Sequence, residues 1–181
     1  KKINFKTELS IIGICTKFGD SFFYPLVENF HNNGILNMSI APYKHDDLQK
    51  KAESYHQKIS KALNYVGVLV IEFFLDKNNN LIANEMAPRV HNSGHWTNEG
   101  ANISQFEAHI MAISGINIDN ISITGSSGML NIISKMPDNK FIKENSKYKL
   151  YDYGKSERLN RKLGHICLTY EKKETLVSEL L

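Results

Sequence analysis

The chain has 181 residues, a formal net charge of +3 at pH 7, 41% hydrophobic and 23% charged residues, values typical of a globular protein with one good-sized core or two small ones. The mild charge argues against nucleic acid as a partner, and the lack of an apolar run of bilayer length argues against a membrane partner. Cys15 and Cys167 match no metal or redox spacing, so we expect two buried thiols in a reducing, cytoplasmic compartment. The chain opens within a few residues of a strand and without an initiator Met, which predicts that it is the C-terminal part of something larger.

β-Forming residues dominate the first forty positions. Residues 7–17 and 21–30 are predicted to form an antiparallel pair, joined by a turn at residues 18–20. The sequence HNNG at residues 31–34 is predicted as a second turn, and residues 35–41 as a further short strand.

A helix and a strand hairpin are predicted next. Apolar residues recur every three or four positions between Asp46 and Leu63, which indicates an amphipathic helix; they are Leu48, Ala52, Tyr55, Ile59, Ala62 and Leu63. Residues 65–75 form a nearly continuous β-branched and aromatic run, typical of a buried strand. A turn at residues 76–80 then leads into a return strand at residues 81–86.

The second half of the chain predicts one more helix and a smaller β-rich unit. The segment SQFE at residues 104–107 has the spacing of a capping box, so we expect a helix that runs to about Ser114 and ends at Gly115. Strands are predicted at residues 128–134, 147–154 and 164–170, and a short helix at residues 174–181. The polar, Gly/Ser-rich stretch at residues 115–125 predicts a division into residues 1–118 and 119–181, and the fold class is α+β.

Two acidic residues are predicted to face each other across the hairpin. If residues 77–80 form a four-residue loop, Asp76 opposes Leu81, and Glu72 opposes Glu85. Directly opposed residues lie on one face of the sheet with Cβ atoms roughly 5 Å apart. Like charges at that distance repel, and burial in an apolar strand further disfavours a charged carboxylate.

Such a pair is retained either because the two acids share a proton or because a cation lies between them. Asn84 beside the second acid and Arg89 just beyond it favour the cation. Magnesium is commonly held by one or two carboxylates together with substrate phosphates, which suits an open hairpin. The alternative is a slip of one residue in register, which would send the two acids to opposite faces of the sheet.

The loop that follows the hairpin carries a high density of polar groups. Its sequence, NEMAPRVHNSGHWTNEG at residues 84–100, begins with a proline-stiffened exit from the strand. Arg89 and His91 bring donors suited to an anionic transition state. Further donors and a flexible backbone are offered by Asn92, Ser93 and Gly94, whereas His95 and Trp96 are either ligand contacts or packing anchors.

A basic cluster lies between the last two predicted strands, in GKSERLNRKLGH at residues 154–165. Its cationic members are Lys155, Arg158, Arg161 and Lys162. This density fits a phosphate site, and the alternative is a solvated basic loop.

These motifs together resemble one family. The stretch NEMAPRVHNSGHWTNEGANISQFEAH resembles the hallmark of the 5-(carboxyamino)imidazole ribonucleotide synthetases, ATP-grasp enzymes of microbial purine synthesis. The segments TELSIIG, FYPLVENFHNNGIL, GVLVIEFF and GKSERLNRKLGHI resemble other family segments in the same order, so the resemblance spans essentially the whole chain. The chain departs from the family at Val90, usually Pro, and at Leu159-Asn160, usually Pro-Gly.

The resemblance implies the second half of an ATP-grasp domain followed by a small β-rich C-terminal domain. It also implies a reaction that joins ATP, bicarbonate and 5-aminoimidazole ribonucleotide, in which carboxyphosphate forms first and the amine then captures its carboxyl group. The family's N-terminal domain and first ATP-grasp half would precede Lys1, so we expect the chain alone to be catalytically incompetent.

Residue roles follow from the resemblance position by position. Glu8 matches the acid that binds the nucleotide ribose, and His31 matches a residue of the nucleotide site. Asn84 and Glu85 match the pair at the triphosphate of ATP, and Glu72 and Glu85 the Mg²⁺ ligands. The family's contacts to the reacting groups and to the imidazole nucleotide match Arg89, His91, Asn92 and Ser93. Arg89 and His91 are the catalytic candidates. Contacts to the 5′-phosphate match Lys155 and Arg161, with Lys162 beside them.

Two other functions are compatible with the same residues. One is a non-catalytic nucleotide-binding or interaction module that retains the surface without turnover. The other is an ATP-grasp ligase whose acceptor is a different small anion. The sequence also leaves a homodimer open.

Overall fold

The computed structural model describes residues 3–138, 140, 142 and 145–180. Its strands are β1 (Thr7–Cys15), β2 (Ser21–Phe23), β3 (Val27–Asn32), β4 (Ile35–Ala41), β5 (Gly67–Leu75), β6 (Leu81–Ala87), β7 (Ser126–Ile133), β8 (Lys149–Asp152) and β9 (Lys162–Tyr170). Its α-helices are α1 (Asp46–Ala62), α2 (Thr97–Gly100), α3 (Gln105–Ser114) and α4 (Lys173–Leu180), and one 3₁₀ turn spans Asn92–Gly94. The nine described strands form one antiparallel sheet in the order β6-β5-β1-β3-β4-β7-β9-β8, with β2 paired to β1. The predicted α+β class is therefore confirmed.

The neighbouring strands β1 and β5 are covered on both faces. Successive side chains of a strand point to opposite faces, and here each face has its own core. Leu9 and Ile11 pack in one cluster with Leu48 and Ala52 of α1. Ile12 and Ile14 pack in another cluster, which includes Trp96, Ala108 and Ala112. The loop at residues 84–100, called the signature loop below, and α3 thus cover the face opposite α1, and this is the face on which the acids of the site lie.

The predicted strand 21–30 is interrupted. Both of its parts pair with β1, β2 opposite residues 13–15 and β3 opposite residues 8–10. Pro25 lies in the gap, where it removes a backbone donor that a continuous ladder would need.

The predicted turn at residues 31–34 is wrong for its first two residues. His31 and Asn32 belong to β3, and the turn consists of Asn33 and Gly34, with φ angles of 50° and 76°. Two residues with positive φ are characteristic of the tight hairpin turn that matches the twist of paired strands. His31 is thereby held on the sheet and not in a loop.

The predicted amphipathic face of helix α1 is confirmed over most of its length. Leu48 and Ala52 are buried, and Tyr55 and Ile59 pack against the same core. The prediction is wrong at its end, where Ala62 and Leu63 are exposed, and it missed the buried His56 and Ser60. Helix α3 has the predicted capping box between Ser104 and Glu107, and it ends at Gly115 with φ of 71°. None of the helices in the described residues combines the length and apolar character needed to cross a bilayer.

The β-rich end of the chain extends the same sheet. Strand β7 pairs with β4 from Met38↔Leu130 to Ala41↔Ser127, and β9 and β8 follow outward. The predicted strands are present with shifted ends, and the final helix is described to Leu180, so its predicted last residue, 181, lies outside the described residues. The division between residues 118 and 119 stays a prediction, and the hydrogen bonds between β4 and β7 connect the two predicted parts.

Candidate active site

Glu72 in β5 and Glu85 in β6 are paired in register, as predicted. The route differs from the predicted one, because Leu75 pairs with Leu81 and the loop therefore holds five residues instead of four. That longer loop alone would place Glu72 opposite Asn84. A β-bulge beside Glu72 adds one residue to β6 and restores the pairing of the two acids.

The two acids differ in environment. The side chain of Glu72 is 12% exposed, and its Oε1 atom is buried without a hydrogen-bond partner. Glu85 is exposed on the edge strand of the described sheet, as is Asn84 beside it. Burial raises the pKa of Glu72, with smaller contributions from the charges of Glu85 and Glu8, while His31 acts in the opposite direction. Glu72 therefore gains from any cation that approaches its free oxygen atom.

The acid pair fits a magnesium ion only together with a ligand. Among the residues that the structure describes, no group of three or more His, Cys, Asp or Glu side chains is arranged to hold a metal. Magnesium, however, is usually bound through one or two carboxylates, with phosphate oxygens and water completing its octahedral shell. The unpartnered oxygen of Glu72 opposite Glu85 is such a partial ligand set, and the metal assignment remains a prediction.

Glu8 and His31 are in contact on the same face of the sheet. Oε2 of Glu8 in β1 contacts Nδ1 of His31 in β3. Their side chains are 21% and 23% exposed, respectively, so solvent and a ligand can reach both. The charges of both residues affect the pKa of Glu72. The two predicted nucleotide-site residues therefore lie near the acid pair.

His91 connects the acid pair to a buried polar chain. Its Nδ1 lies 3.6 Å from Oε1 of Glu72, beyond hydrogen-bond distance, and 3.0 Å from Oγ of Ser93. The backbone N–H of Ser93 also donates to Nδ1, at 3.3 Å. Because a backbone N–H can only donate, Nδ1 is an acceptor and a neutral His91 carries its proton on Nε2. Burial lowers the pKa of His91 to about 4, with the charges of Arg89 and Lys162 adding to the effect.

The polar chain continues beneath the site through three neighbouring strands. Ser10 Oγ donates to Ser93 Oγ at 3.0 Å, Asn29 Nδ2 donates to Ser10 Oγ at 3.0 Å, and Ser39 Oγ donates to Asn29 Oδ1 at 2.8 Å. All four residues are at most 4% exposed. Every donor in this chain points toward His91, so the chain and the Ser93 backbone specify the same tautomer. Buried networks that are fully satisfied in this way hold their members in one arrangement.

Arg89 is exposed and bends back along its own loop. Its Nη1 donates to the carbonyl of Val90 at 2.9 Å. The charge of the guanidinium nevertheless contributes to the lowered pKa of His91.

The basic cluster divides into members near the loop and members apart from it. Lys162 Nζ contacts Oδ1 of Asn92, and both Lys162 and Lys155 lie over the ring of Tyr153, at 5.4 Å and 5.1 Å. Burial lowers the pKa of Lys162 to about 8, and the charge of Lys155 adds to this. Arg161 instead donates to Ser156 Oγ within its own loop, at 3.0 Å.

His95 and Trp96 differ in role. Trp96 is completely buried and packs edge-on against Tyr24, with ring centroids 6.0 Å apart, so it is a packing anchor. His95 is half-buried and lies against His165, with centroids 4.7 Å apart, while His165 stacks on Tyr151 at 4.5 Å. This aromatic layer joins the signature loop to β8 and β9.

Several residues of the site were missed by reasoning from the sequence. They are Ser10, Asn29, Ser39, Gln105, Tyr153 and His165, each of which contacts a predicted site residue directly or through one or two of the others. Ser10 and Ser39 lie in otherwise apolar strands, and a polar residue at such a position is the available signal. That signal does not show which residues meet.

Comparison with known proteins assigns the class of this fold and site. Residues 1–106 match the family model of the ATP-grasp domain. Residues 127–179 match the model described as the phosphoribosylaminoimidazole carboxylase C-terminal domain. The chain belongs to the ATP-grasp family.

Several relatives within that family are named N5-carboxyaminoimidazole ribonucleotide synthase or synthetase. The chain is 42% identical over 178 residues to the N5-carboxyaminoimidazole ribonucleotide synthase of Pseudomonas aeruginosa, covering 98% of this chain and 49% of the relative. The synthetase structure from Thermus thermophilus matches with a TM-score of 0.95 and 44% identity, over 99% of this chain and 50% of that one. The Aspergillus clavatus synthase in complex with ADP and 5-aminoimidazole ribonucleotide matches with a TM-score of 0.91 and 31% identity, over 99% and 50%. The resemblance predicted from the motifs is confirmed, and the chain spans about half the length of these relatives.

Proposed function

We propose that this chain supplies the metal-binding and acceptor-binding part of an ATP-grasp ligase that carboxylates 5-aminoimidazole ribonucleotide with bicarbonate. The observation that carries the proposal is the pairing of Glu72 with Glu85, with a free buried oxygen on Glu72, on the face that also presents His91. The names of the relatives supply the substrate. Because the chain spans half of their length, the activity is proposed for the whole protein.

The proposed reaction has two steps. A bicarbonate oxygen attacks the γ-phosphorus of ATP, the bond to the β,γ-bridging oxygen breaks, and ADP leaves. The amine of the imidazole nucleotide then attacks the carboxyl carbon of carboxyphosphate, inorganic phosphate leaves with the C–O bonding electrons, and the nitrogen loses a proton. Magnesium, held by Glu72 and Glu85 when bound, would neutralise charge on the phosphoryl oxygens.

The nucleotide end of the site is assigned to the sheet residues. Glu8 is proposed to bind the ribose hydroxyls, since a carboxylate is an acceptor for them. His31, already paired with Glu8, orients that carboxylate. Asn84 and Glu85 face solvent on β6, where the triphosphate would reach them.

The reacting end is assigned to the loop. Arg89 is a permanent cation in an exposed position, suited to an anionic carboxyphosphate. His91, with Nδ1 accepting from Ser93, offers Nε2–H as a donor to the same anion. These two residues are the proposed catalytic groups.

The acceptor nucleotide is assigned to the junction of the loop with β9. Asn92 is proposed to contact the imidazole nucleotide directly, whereas Ser93, which is buried and bonded to His91, is proposed to act on the nucleotide through that histidine. Its 5′-phosphate would be bound by Lys155, Arg161 and Lys162. Lys162 is held beside Asn92, and an approaching phosphate dianion would favour the charged form of its amine.

A cytoplasmic location and a homodimer belong to the proposal as well. The location is supported by the two cysteines, which are both free and buried. For the homodimer the support is the apolar side chains exposed on one helix, at Phe106, Ile110 and Ile113 of α3.

Titration calorimetry tests the proposal on the chain itself. We expect 5-aminoimidazole ribonucleotide to bind and Lys162→Met to weaken binding, whereas Lys149→Met, an exposed lysine of β8, leaves it unchanged. Binding of magnesium ATP without the imidazole nucleotide would favour a ligase with another small anionic acceptor. Binding of neither ligand would contradict the proposal and favour an interaction module.

A further inference from the structure

Gln105, the first residue of α3, contacts the signature loop at three atoms. Its Oε1 accepts from the backbone N–H of His91 at 2.9 Å, and its Nε2 donates to the carbonyl of the same residue at 2.7 Å. The same Nε2 lies 2.9 Å from Nδ1 of His95. The residue is completely buried, with 0% of its surface exposed.

The amide of Gln105 has one orientation that satisfies these partners. A backbone N–H requires an acceptor and a backbone carbonyl requires a donor, so Oε1 and Nε2 cannot exchange places. Nε2 carries two hydrogens, and His91 takes one of them. The second points to His95, whose Nδ1 must therefore accept and hold no proton.

Packing leaves this amide no room to rotate. A Cβ atom at Gly94 would lie 2.4 Å from Oε1 of Gln105, which shows how closely the loop backbone covers it. The backbone N–H of Gln105 donates to Thr97 Oγ1 at 2.9 Å, and that hydroxyl donates to the carbonyl of Gly94 at 2.6 Å. Both the main chain and the side chain of Gln105 are thus tied to the loop.

The ring of His95 is fixed on its other sides by aromatic neighbours. Its centroid lies 5.4 Å from that of Phe106 and 4.7 Å from that of His165. Burial, followed by the charge of Lys162, lowers the pKa of His95 to about 3. Within the part of the chain that the structure describes, Nε2 of His95 has no hydrogen bond and is not among the buried unpartnered atoms.

We propose that Gln105 is a positioning residue, which fixes His95 as a neutral imidazole with its proton on Nε2 and so makes that N–H a donor to an anionic oxygen of a bound ligand. The tautomer follows from the contacts of Gln105 alone. The role of the N–H toward a ligand rests on the proposed function. The two parts are therefore tested separately.

Nitrogen NMR of the chain labelled with ¹⁵N-histidine tests the tautomer. We expect Nδ1 of His95 to show the shift of an unprotonated ring nitrogen and Nε2 that of a protonated one, assigned by their loss in His95→Phe. In Gln105→Glu the carboxylate only accepts, so Nδ1 should become protonated. Ser114→Glu adds the same charge to α3 at its exposed end, and it should leave the signals of His95 unchanged.

The outcomes are decisive without activity measurements. A protonated Nδ1 in the wild-type chain overturns the proposal, and so does an unprotonated Nδ1 in a folded Gln105→Glu chain. If that variant does not fold, the spectra of the wild type and of Gln105→Met test the proposal instead. Gln105→Met should show both tautomers of His95, because methionine keeps the size of the side chain but has no hydrogen-bond donor. Addition of 5-aminoimidazole ribonucleotide should then change the chemical shift of Nε2 of His95. Failure of the nucleotide to bind at all contradicts the proposed function and leaves the tautomer result standing. Binding without that change in chemical shift overturns the donor role of His95.

Discussion

Lys162 at the start of β9 contacts Asn92 in the signature loop, although 70 residues separate them in the chain. The sequence presents the basic cluster and the loop as two features. The structure joins them into one surface, at which the amine of Lys162, the side-chain amide of Asn92 and the half-buried ring of His95 are neighbours.

Removal of this cation should weaken binding of the imidazole nucleotide. A hydrogen bond to a charged group contributes about 1.5–3 kcal/mol, so we expect Lys162→Met to raise the dissociation constant by roughly 10- to 150-fold. Calorimetry on the chain measures this directly. Lys149→Met is the matched control, and equal losses in the two variants would mean that only net charge matters.

Loss of either facing acid should abolish magnesium-dependent ATP cleavage by the whole protein. Metal ions stabilise phosphoryl transition states by several kcal/mol, so we expect Glu85→Gln and Glu72→Gln each to reduce turnover by at least ~100-fold. Release of ADP at saturating magnesium is the measurement. Glu174→Gln, on the exposed side of α4, serves as control; wild-type turnover in Glu85→Gln would remove that residue from the metal site.

Without metal, Glu72→Gln should change the pH dependence of stability. The folded state raises the pKa of Glu72, so the folded chain holds this proton more tightly than the unfolded chain does. Stability from this residue is therefore greatest at low pH and declines as pH rises from the ordinary carboxyl range through the raised pKa. In urea unfolding between pH 4 and pH 8, the wild type should lose free energy of unfolding relative to the variant as the pH rises, because the other titrating groups are the same in both proteins.

The buried polar chain should contribute to stability as well as to the site. Ser10→Ala removes the donor to Ser93 and leaves the amide of Asn29 without its acceptor, and a buried group without a partner costs about 1–3 kcal/mol. We expect a lower free energy of unfolding by that amount in urea titrations. Ser114→Ala, at the exposed end of α3, should change it by less than about 0.5 kcal/mol.

His56 should make the chain sensitive to mild acid. Burial lowers its pKa from 6.5 to about 4 in the folded state, while its Nε2 bonds the carbonyl of Leu69 at 3.0 Å. Stability from the neutral ring is thus complete above pH 6.5 and is lost as pH falls toward 4, by up to about 3 kcal/mol. His56→Gln should remove this part of the loss in urea unfolding at each pH, because the other buried histidines remain in both proteins; parallel curves would contradict the assignment.

The pairing of Glu72 with Glu85 was predictable from the sequence, but only because two departures from the predicted hairpin, a longer loop and a bulge, cancel each other. Asp76 Oδ1 accepts from the backbone N–H groups of Asn78 and Asn80, at 2.8 Å each, and this local turn lengthens the loop. The bulge beside Glu72 then corrects the register. Hairpin length follows from side-chain chemistry within the turn, whereas the bulge depends on the whole sheet and leaves no signal in one strand.

The residues that support the site were not predictable in the same way. Ser10, Asn29 and Ser39 meet because β1, β3 and β4 are adjacent, and strand order is not contained in the pattern of any single strand. Gln105 presents the same difficulty, since its position in a capping box explains the helix and says nothing of the loop. Glu8 and His31 were identified from family resemblance alone. The contact between their side chains is the physical reason to place both residues in one site.

The pairing of β4 with β7 has a mechanical consequence for the candidate site. One continuous sheet carries the acids near its β6 edge and the lysines near its β8 edge. A hinge between these two groups would therefore have to break main-chain hydrogen bonds of the sheet. Any relative movement of these two groups must come from residues that do not lie on this sheet.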